Sequence, residues 1–121
     1  NKRVSKFGFM KESPLFTKTY DLLLWLHKHT GHYPKNERFR LAKRIDDTAF
    51  ELQECILFAT LDNNKHENLI KADIILRKLT ILCRLAKDTG FMTSSQYFYV
   101  SERMVELGKM VNTWKKKVER L

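Results

Sequence analysis

From Tyr97 onwards the apolar residues keep one spacing to the end of the chain. Tyr97, Val100, Met104, Leu107, Val111, Trp114, Val118 and Leu121 are separated by three and four residues in strict alternation. Such spacing keeps a single stripe of a helix apolar along its whole length. A half-buried strand would alternate every second residue, and no segment of the chain shows that period. Two earlier runs repeat the helical pattern: Leu69, Ala72, Leu76, Leu79, Cys83 and Ala86, and before them Ala42, Ile45, Ala49, Leu52, Ile56 and Ala59. A fourth stretch, "LLLWL" at 22–26, is apolar nearly all round. Each stripe must find a partner, so the four seams are expected to face one another in a shared core.

The breaks between the runs carry helix start and stop signals. Ser13 and Pro14 supply an N-cap and a first-position proline for a helix reaching about Thr30, with Gly31 as its stop. "GHYPKN" (31–36) reads as a loop, with Asn36 capping a second helix that runs to about Leu61. "DNNK" (62–65) is a short turn before a third helix over about 66–89, which ends at Gly90. Thr93 and Gln96 form a capping box for a fourth helix that reaches the C-terminus. Residues 1–12 hold four basic residues against one acid and no sustained period, and read as a basic tail. The expectation is an all-α protein: one up-down-up-down four-helix bundle over residues 13–121 preceded by that tail.

The seams leave apolar surface over. At 100° per residue, Phe39, Phe50, Leu57 and Leu61 lie about 110–150° from the seam of the second helix, and Ile70, Ile74 and Ile81 lie at least as far from that of the third. A monomeric bundle would show these faces to water, and faces of that kind mark contact surfaces. The seven residues therefore read as an oligomer interface. Gly108 falls about 80° from the fourth seam, at its edge, where the lack of a side chain is expected to let another helix come close.

The formal charge of +9 calls for an anionic partner, nucleic acid before an acidic protein surface. The basic residues fall in clusters: Lys35, Arg38, Arg40, Lys43 and Arg44 near the start of the second helix; Lys71, Arg77, Lys78 and Arg84 on the third; Lys115, Lys116, Lys117 and Arg120 at the end of the fourth. These thirteen are the candidate nucleic-acid-binding residues. Tyr33, Phe98 and Tyr99 lie near charges and are candidates to stack on unpaired bases.

Catalytic patterns are missing. His27 and His29 face opposite ways on a helix, so "HKHTGH" does not form a metal site with His32, and no Glu-x-x-His pair occurs. Asp46, Asp47, Glu51 and Glu54 sit among Arg40, Lys43 and Arg44 and read as a solvated charged face. No phosphate-binding glycine loop and no nucleophile elbow is present. The expectation is a non-enzyme without metal or cofactor. Cys55 and Cys83 both fall in apolar helical patterns and read as reduced core thiols of a cytoplasmic protein. No run is long enough to cross a bilayer, so no membrane partner is expected.

Two long stretches together resemble a known family. "SPLFTKTYDLLLWLHKHTGHYPKNERFRLAKRI" combines an aromatic first helix, a loop with Tyr-Pro-Lys and a helix opening Arg-Phe-x-Leu-x-x-Arg-Ile. "LRKLTILCRLAKDTGFMTSSQYFYVSERMVELGKMVNTWKK" adds Gly-Lys-Met-x-x-x-Trp. Over about residues 13–117 the chain resembles the accessory variability determinant (Avd) proteins of diversity-generating retroelements, and their sister group encoded in ribosomal-RNA intervening sequences. The resemblance implies a four-helix protomer in a barrel-like homopentamer with a positively charged surface. It implies a protein without catalysis of its own, which binds the retroelement's reverse transcriptase and associates with template RNA or cDNA during mutagenic copying. In the sister group the corresponding expectation is an interaction protein that binds RNA or an acidic protein surface.

Overall fold

A computed structural model of the protein describes residues 13–61 and 64–120. The basic tail 1–12, half of the turn before the third helix and Leu121 lie outside the described residues. Four helices follow one another: α1 (Pro14–Thr30), α2 (Leu41–Leu61), α3 (Lys65–Asp88) and α4 (Ser94–Glu119). A 3-10 turn, Lys35–Glu37, stands between α1 and α2. Each helix packs on the next, and α1 closes the ring against α4 by the slightest of the four contacts. Short connections make neighbours antiparallel, so the all-α up-down-up-down four-helix bundle stands.

Helix ends form for identifiable reasons. Ser13 Oγ accepts from the Phe16 N–H at 3.4 Å, and Pro14 opens α1, where an amide hydrogen would have no partner. At the head of α4, Thr93 Oγ1 accepts from the Gln96 N–H at 3.0 Å while Gln96 Oε1 accepts from the Thr93 N–H at 2.9 Å, a complete capping box. Beyond α3, Gly90 takes φ 86°, a left-handed conformation that glycine adopts without strain. That reversal lets the Phe91 and Met92 N–H groups both donate to the Ala86 carbonyl, so the chain turns into α4 with its orphan acceptor satisfied.

The second helix starts later than Asn36 predicts. Pro34 fixes the backbone ahead of the 3-10 turn, whose bonds run from the Glu37 N–H to the Pro34 carbonyl at 2.8 Å and from the Arg40 N–H to the Glu37 carbonyl at 3.1 Å. The Glu37 side chain is buried beneath and accepts from Arg40 Nη1 at 3.1 Å. Asn36 thus lies inside a tight turn, and the regular helix begins at Leu41. Gly31 also acts differently from expectation: it stays right-handed (φ −62°), and α1 ends by tightening into bonds from His32 and Tyr33 N–H to the carbonyls of His29 and Thr30.

The core is the set of seams. Every seam residue of α2 and α3 named from periodicity is buried, as are Val100, Met104, Leu107 and Val111 of α4. Tyr97, Trp114 and Val118 pack against the core while partly exposed. α1 contributes Leu15, Leu22, Leu23 and Leu26, and turns Leu24 to water. Thr19 is buried with its hydroxyl donating to the Leu15 carbonyl at 2.7 Å, which spares the core an unpaired polar group. Cys55 and Cys83 are free and buried, and burial pushes the Cys83 thiol up to about 12.

Candidate nucleic-acid interface

The thirteen basic candidates do not form one patch. The antiparallel fold puts the head of α2 beside the end of α3, and the head of α3 beside the end of α4. Lys35, Arg38, Arg40, Lys43, Arg44 and Arg84 therefore gather at one end of the bundle, and Lys71, Lys115, Lys116, Lys117 and Arg120 at the other. The 21 residues of α2 separate the two ends by about 30 Å. Arg77 and Lys78 lie midway along α3.

Many of these cations already have acids. Lys71 meets Glu67 at 3.5 Å, Arg77 meets Asp73 at 3.4 Å and Arg84 meets Asp88 at 3.8 Å. Arg40 is held on buried Glu37, and Lys43 pairs with Asp47 one turn on. Among the described residues Lys35, Arg38, Arg44, Lys78, Lys115, Lys116, Lys117 and Arg120 form no ion pair. The C-terminal lysines still act locally. A hydrogen bond from His66 and the fields of His66, Lys115 and Lys116 hold the Glu119 carboxyl below its ordinary range.

The histidines around the first loop, and Asp46 of α2, are absorbed structurally. His29 stacks on Trp25 with centroids 5.1 Å apart and bonds the Tyr33 hydroxyl at 2.8 Å. His32 Nδ1 lies 2.9 Å from the Lys28 carbonyl, and Asp46 accepts from the Thr30 hydroxyl at 2.7 Å with His27 at 3.8 Å. Among the described residues no group of three His, Cys, Asp or Glu side chains is placed to hold a metal ion. Nor is any of those helices long and apolar enough to cross a membrane.

Two of the three candidate stacking rings are already occupied. Tyr33 lies against Phe91 at 5.4 Å, and Tyr99 lies against Trp25 at 5.4 Å with the Arg103 guanidinium over its ring at 4.8 Å. Phe98 remains exposed. Of the apolar residues assigned to an interface, Phe50, Leu61, Ile70, Ile74 and Ile81 are exposed and Leu57 is half-buried. Phe39 is 80% exposed, but it sits in the turn before α2, so it does not extend the row of Phe50, Leu57 and Leu61. Gly108 is a correction: a Cβ built there meets nothing within 4 Å, so no helix of this chain approaches it closely.

The loose α1/α4 contact leaves two cavities along one seam. One, of about 200 Å³, is lined by Lys18, Asp21, Trp25, Tyr99, Arg103 and Glu106, and two of these, Lys18 and Glu106, are bridged at 2.6 Å. The other, of about 590 Å³, lies at the Pro14 end and is lined by Leu15, Met110 and Trp114 with Lys65, Lys109 and Lys117. Lys65 and Lys109 escaped the cluster analysis because neither has a close lysine or arginine neighbour along the chain, the nearest being Lys71 for the one and Arg103 and Lys115 for the other. The row Lys109, Thr113, Lys117 at successive fourth positions was the available signal.

Fold and surface together define a small, basic, all-α four-helix bundle whose excess charge divides between its two ends. The model of the bAvd-like family matches residues 15–118, and the chain belongs to that family. The resemblance to accessory variability determinant proteins is thereby borne out. No curated protein and no solved structure matches the chain.

Proposed function

We propose that this protein is a non-enzymatic accessory factor of a diversity-generating retroelement. It holds template RNA or cDNA and the element's reverse transcriptase during mutagenic copying, in the cytoplasm. Membership of the bAvd-like family over residues 15–118 is the observation that carries this reading. The charge of +9, and at both bundle ends cations that form no ion pair among the described residues, support the nucleic-acid part of it. Co-purification with a reverse transcriptase encoded beside it is the deciding experiment. A chain that captures neither that enzyme nor RNA at low salt would refute the assignment.

The same reading includes assembly into a homopentamer. Phe50 and Leu61 on α2, with Ile74 and Ile81 on α3, present exposed apolar rows that a second copy would cover. Light scattering at tens of micromolar should give about five chains per particle. Phe50→Glu combined with Leu57→Glu should yield smaller particles of unchanged helicity by circular dichroism. A wild-type monomer would overturn this part.

A further inference from the structure

The larger cavity of the α1/α4 seam has a composition unlike the rest of the surface. Its floor is apolar, made by Leu15 of α1 and Met110 and Trp114 of α4. Its cations are Lys65 of α3 and Lys109 and Lys117 of α4, and among the described residues no acid lines it. Among the described residues none of the three lysines is in an ion pair, although Lys71, Arg77 and Arg84 of α3 have each found an acid one turn away. The hydroxyls at its edge are engaged with backbone: Thr60 donates to the Ile56 carbonyl at 3.0 Å and Thr113 to the Lys109 carbonyl at 2.9 Å. Trp114 has no ring partner among the described residues, whereas Trp25 in the smaller cavity is covered by His29 and Tyr99.

We propose that this cavity binds one unpaired base of a nucleic-acid strand, with the base against Trp114 and the adjoining phosphates on Lys65, Lys109 and Lys117. The inference rests on the nucleic-acid part of the function proposed above and gives it a place. An apolar floor flanked by lysines without an acid among the described residues calls for a ligand that is flat and apolar at its centre and anionic on both sides. Stacking on an indole and charge contact along a backbone are the two contributions by which proteins hold single strands. The lysines come from two helices and flank the floor, which matches a repeating polyanion better than a ligand with one terminal charge. Bases in a duplex are paired and stacked, so the site selects single strands.

Two tryptophans are present, so Trp25→Phe leaves Trp114 as the sole indole reporter. Titration of that full-length variant with a single-stranded oligodeoxynucleotide should quench its emission saturably. A duplex of the same length should bind without comparable quenching. In the unmodified chain, a strand carrying 2-aminopurine reports the same contact from the nucleic-acid side. Replacing Lys65, Lys109 and Lys117 together with glutamine should weaken single-strand binding about tenfold near 0.1 M salt and reduce the log–log salt slope by about 2, at roughly 0.7 per phosphate contact. Strand binding that leaves both reporters unchanged, or quenching equal for duplex and single strand, would overturn the pocket while leaving nucleic-acid binding intact. Quenching by an acidic peptide or a fatty acid but not by the oligonucleotide would overturn it in favour of another ligand class. Absence of any nucleic-acid binding would instead bring down the function on which it rests.

Discussion

Burial, and then the neighbouring His32, hold the His29 imidazole below its usual pKa of 6.5. Its ring is stacked on Trp25 and bonded to the Tyr33 hydroxyl, partly out of water, so a charge arriving on it is poorly solvated. The folded state thus takes up that proton later than the unfolded chain does. Between the lowered value and 6.5 the unfolded state binds more protons, so this group's contribution to stability is full above 6.5 and is lost as pH falls below it. Thermal melts from pH 7 to pH 5 should show a steeper decline for the wild type than for His29→Gln. Gly108 gives a second residue-scale test. With open space where its Cβ would be, alanine meets no obstacle and improves helix propensity, so Gly108→Ala should stabilise by about 0.5–1 kcal/mol. Denaturant titration would measure it, and a loss of stability would mean that a second copy packs there.

At the scale of the element, α3 shows how one helix divides its apolar residues between two tasks. Leu79 is 0% exposed and Ile81 is 67% exposed, two residues apart on the same helix. Truncating Leu79 opens a cavity in the shared core, and Leu79→Ala should destabilise by about 2–5 kcal/mol. Truncating Ile81 removes nothing from that core, and Ile81→Ala should shift the separated chain by less than about 0.5 kcal/mol. Its effect should appear in association instead, as a weaker oligomer by light scattering. Equal destabilisation by both changes would show that the outer row of α3 belongs to the fold and not to an assembly. The head of α2 shows the opposite case, in which the loop governs the helix. Pro34 and the buried Glu37 build a hydrogen-bonded turn that holds Arg38, Phe39 and Arg40 outside the helix. Phe39 consequently leaves the row to which helical spacing assigned it.

Over the whole molecule, antiparallel packing sorts the charges. Clusters from the head of α2 and the tail of α4 sit at opposite ends, so one strand of nucleic acid engages them together only by running the length of the bundle. Reversing Lys115, Lys116 and Lys117 to glutamate alters one end and leaves the other untouched. The buried seam through Val111 is not involved, and helicity by circular dichroism should persist. Filter binding across a salt series should show lower affinity and a shallower slope, by up to about 0.7 per lost single-strand contact. An unchanged slope would move the binding surface to Lys35, Arg38 and Arg44 at the far end.

Helix number, the buried seams of α2, α3 and α4, the Ser13-Pro14 start and the Thr93–Gln96 box were legible in the chain because each depends on residues within a turn or two of one another. Local spacing sets which face of a helix is apolar, and local hydrogen bonds set where a helix can begin. Family membership was legible for a related reason: order and spacing along residues 15–118 survive in one dimension. What local spacing could not supply was the distance between segments. Whether Gly108 meets a neighbour, whether Tyr99 keeps a free face, and which lysines escape an acid depend on how closely one helix approaches another. Lys65 lies 44 residues before Lys109 in the chain, and their apposition with Lys117 around Trp114 exists only because α3 begins where α4 ends and α1 closes loosely against them. Side-chain periodicity determined each helix by itself; the packing of four helices, with one seam left partly open, decided where a ligand could enter.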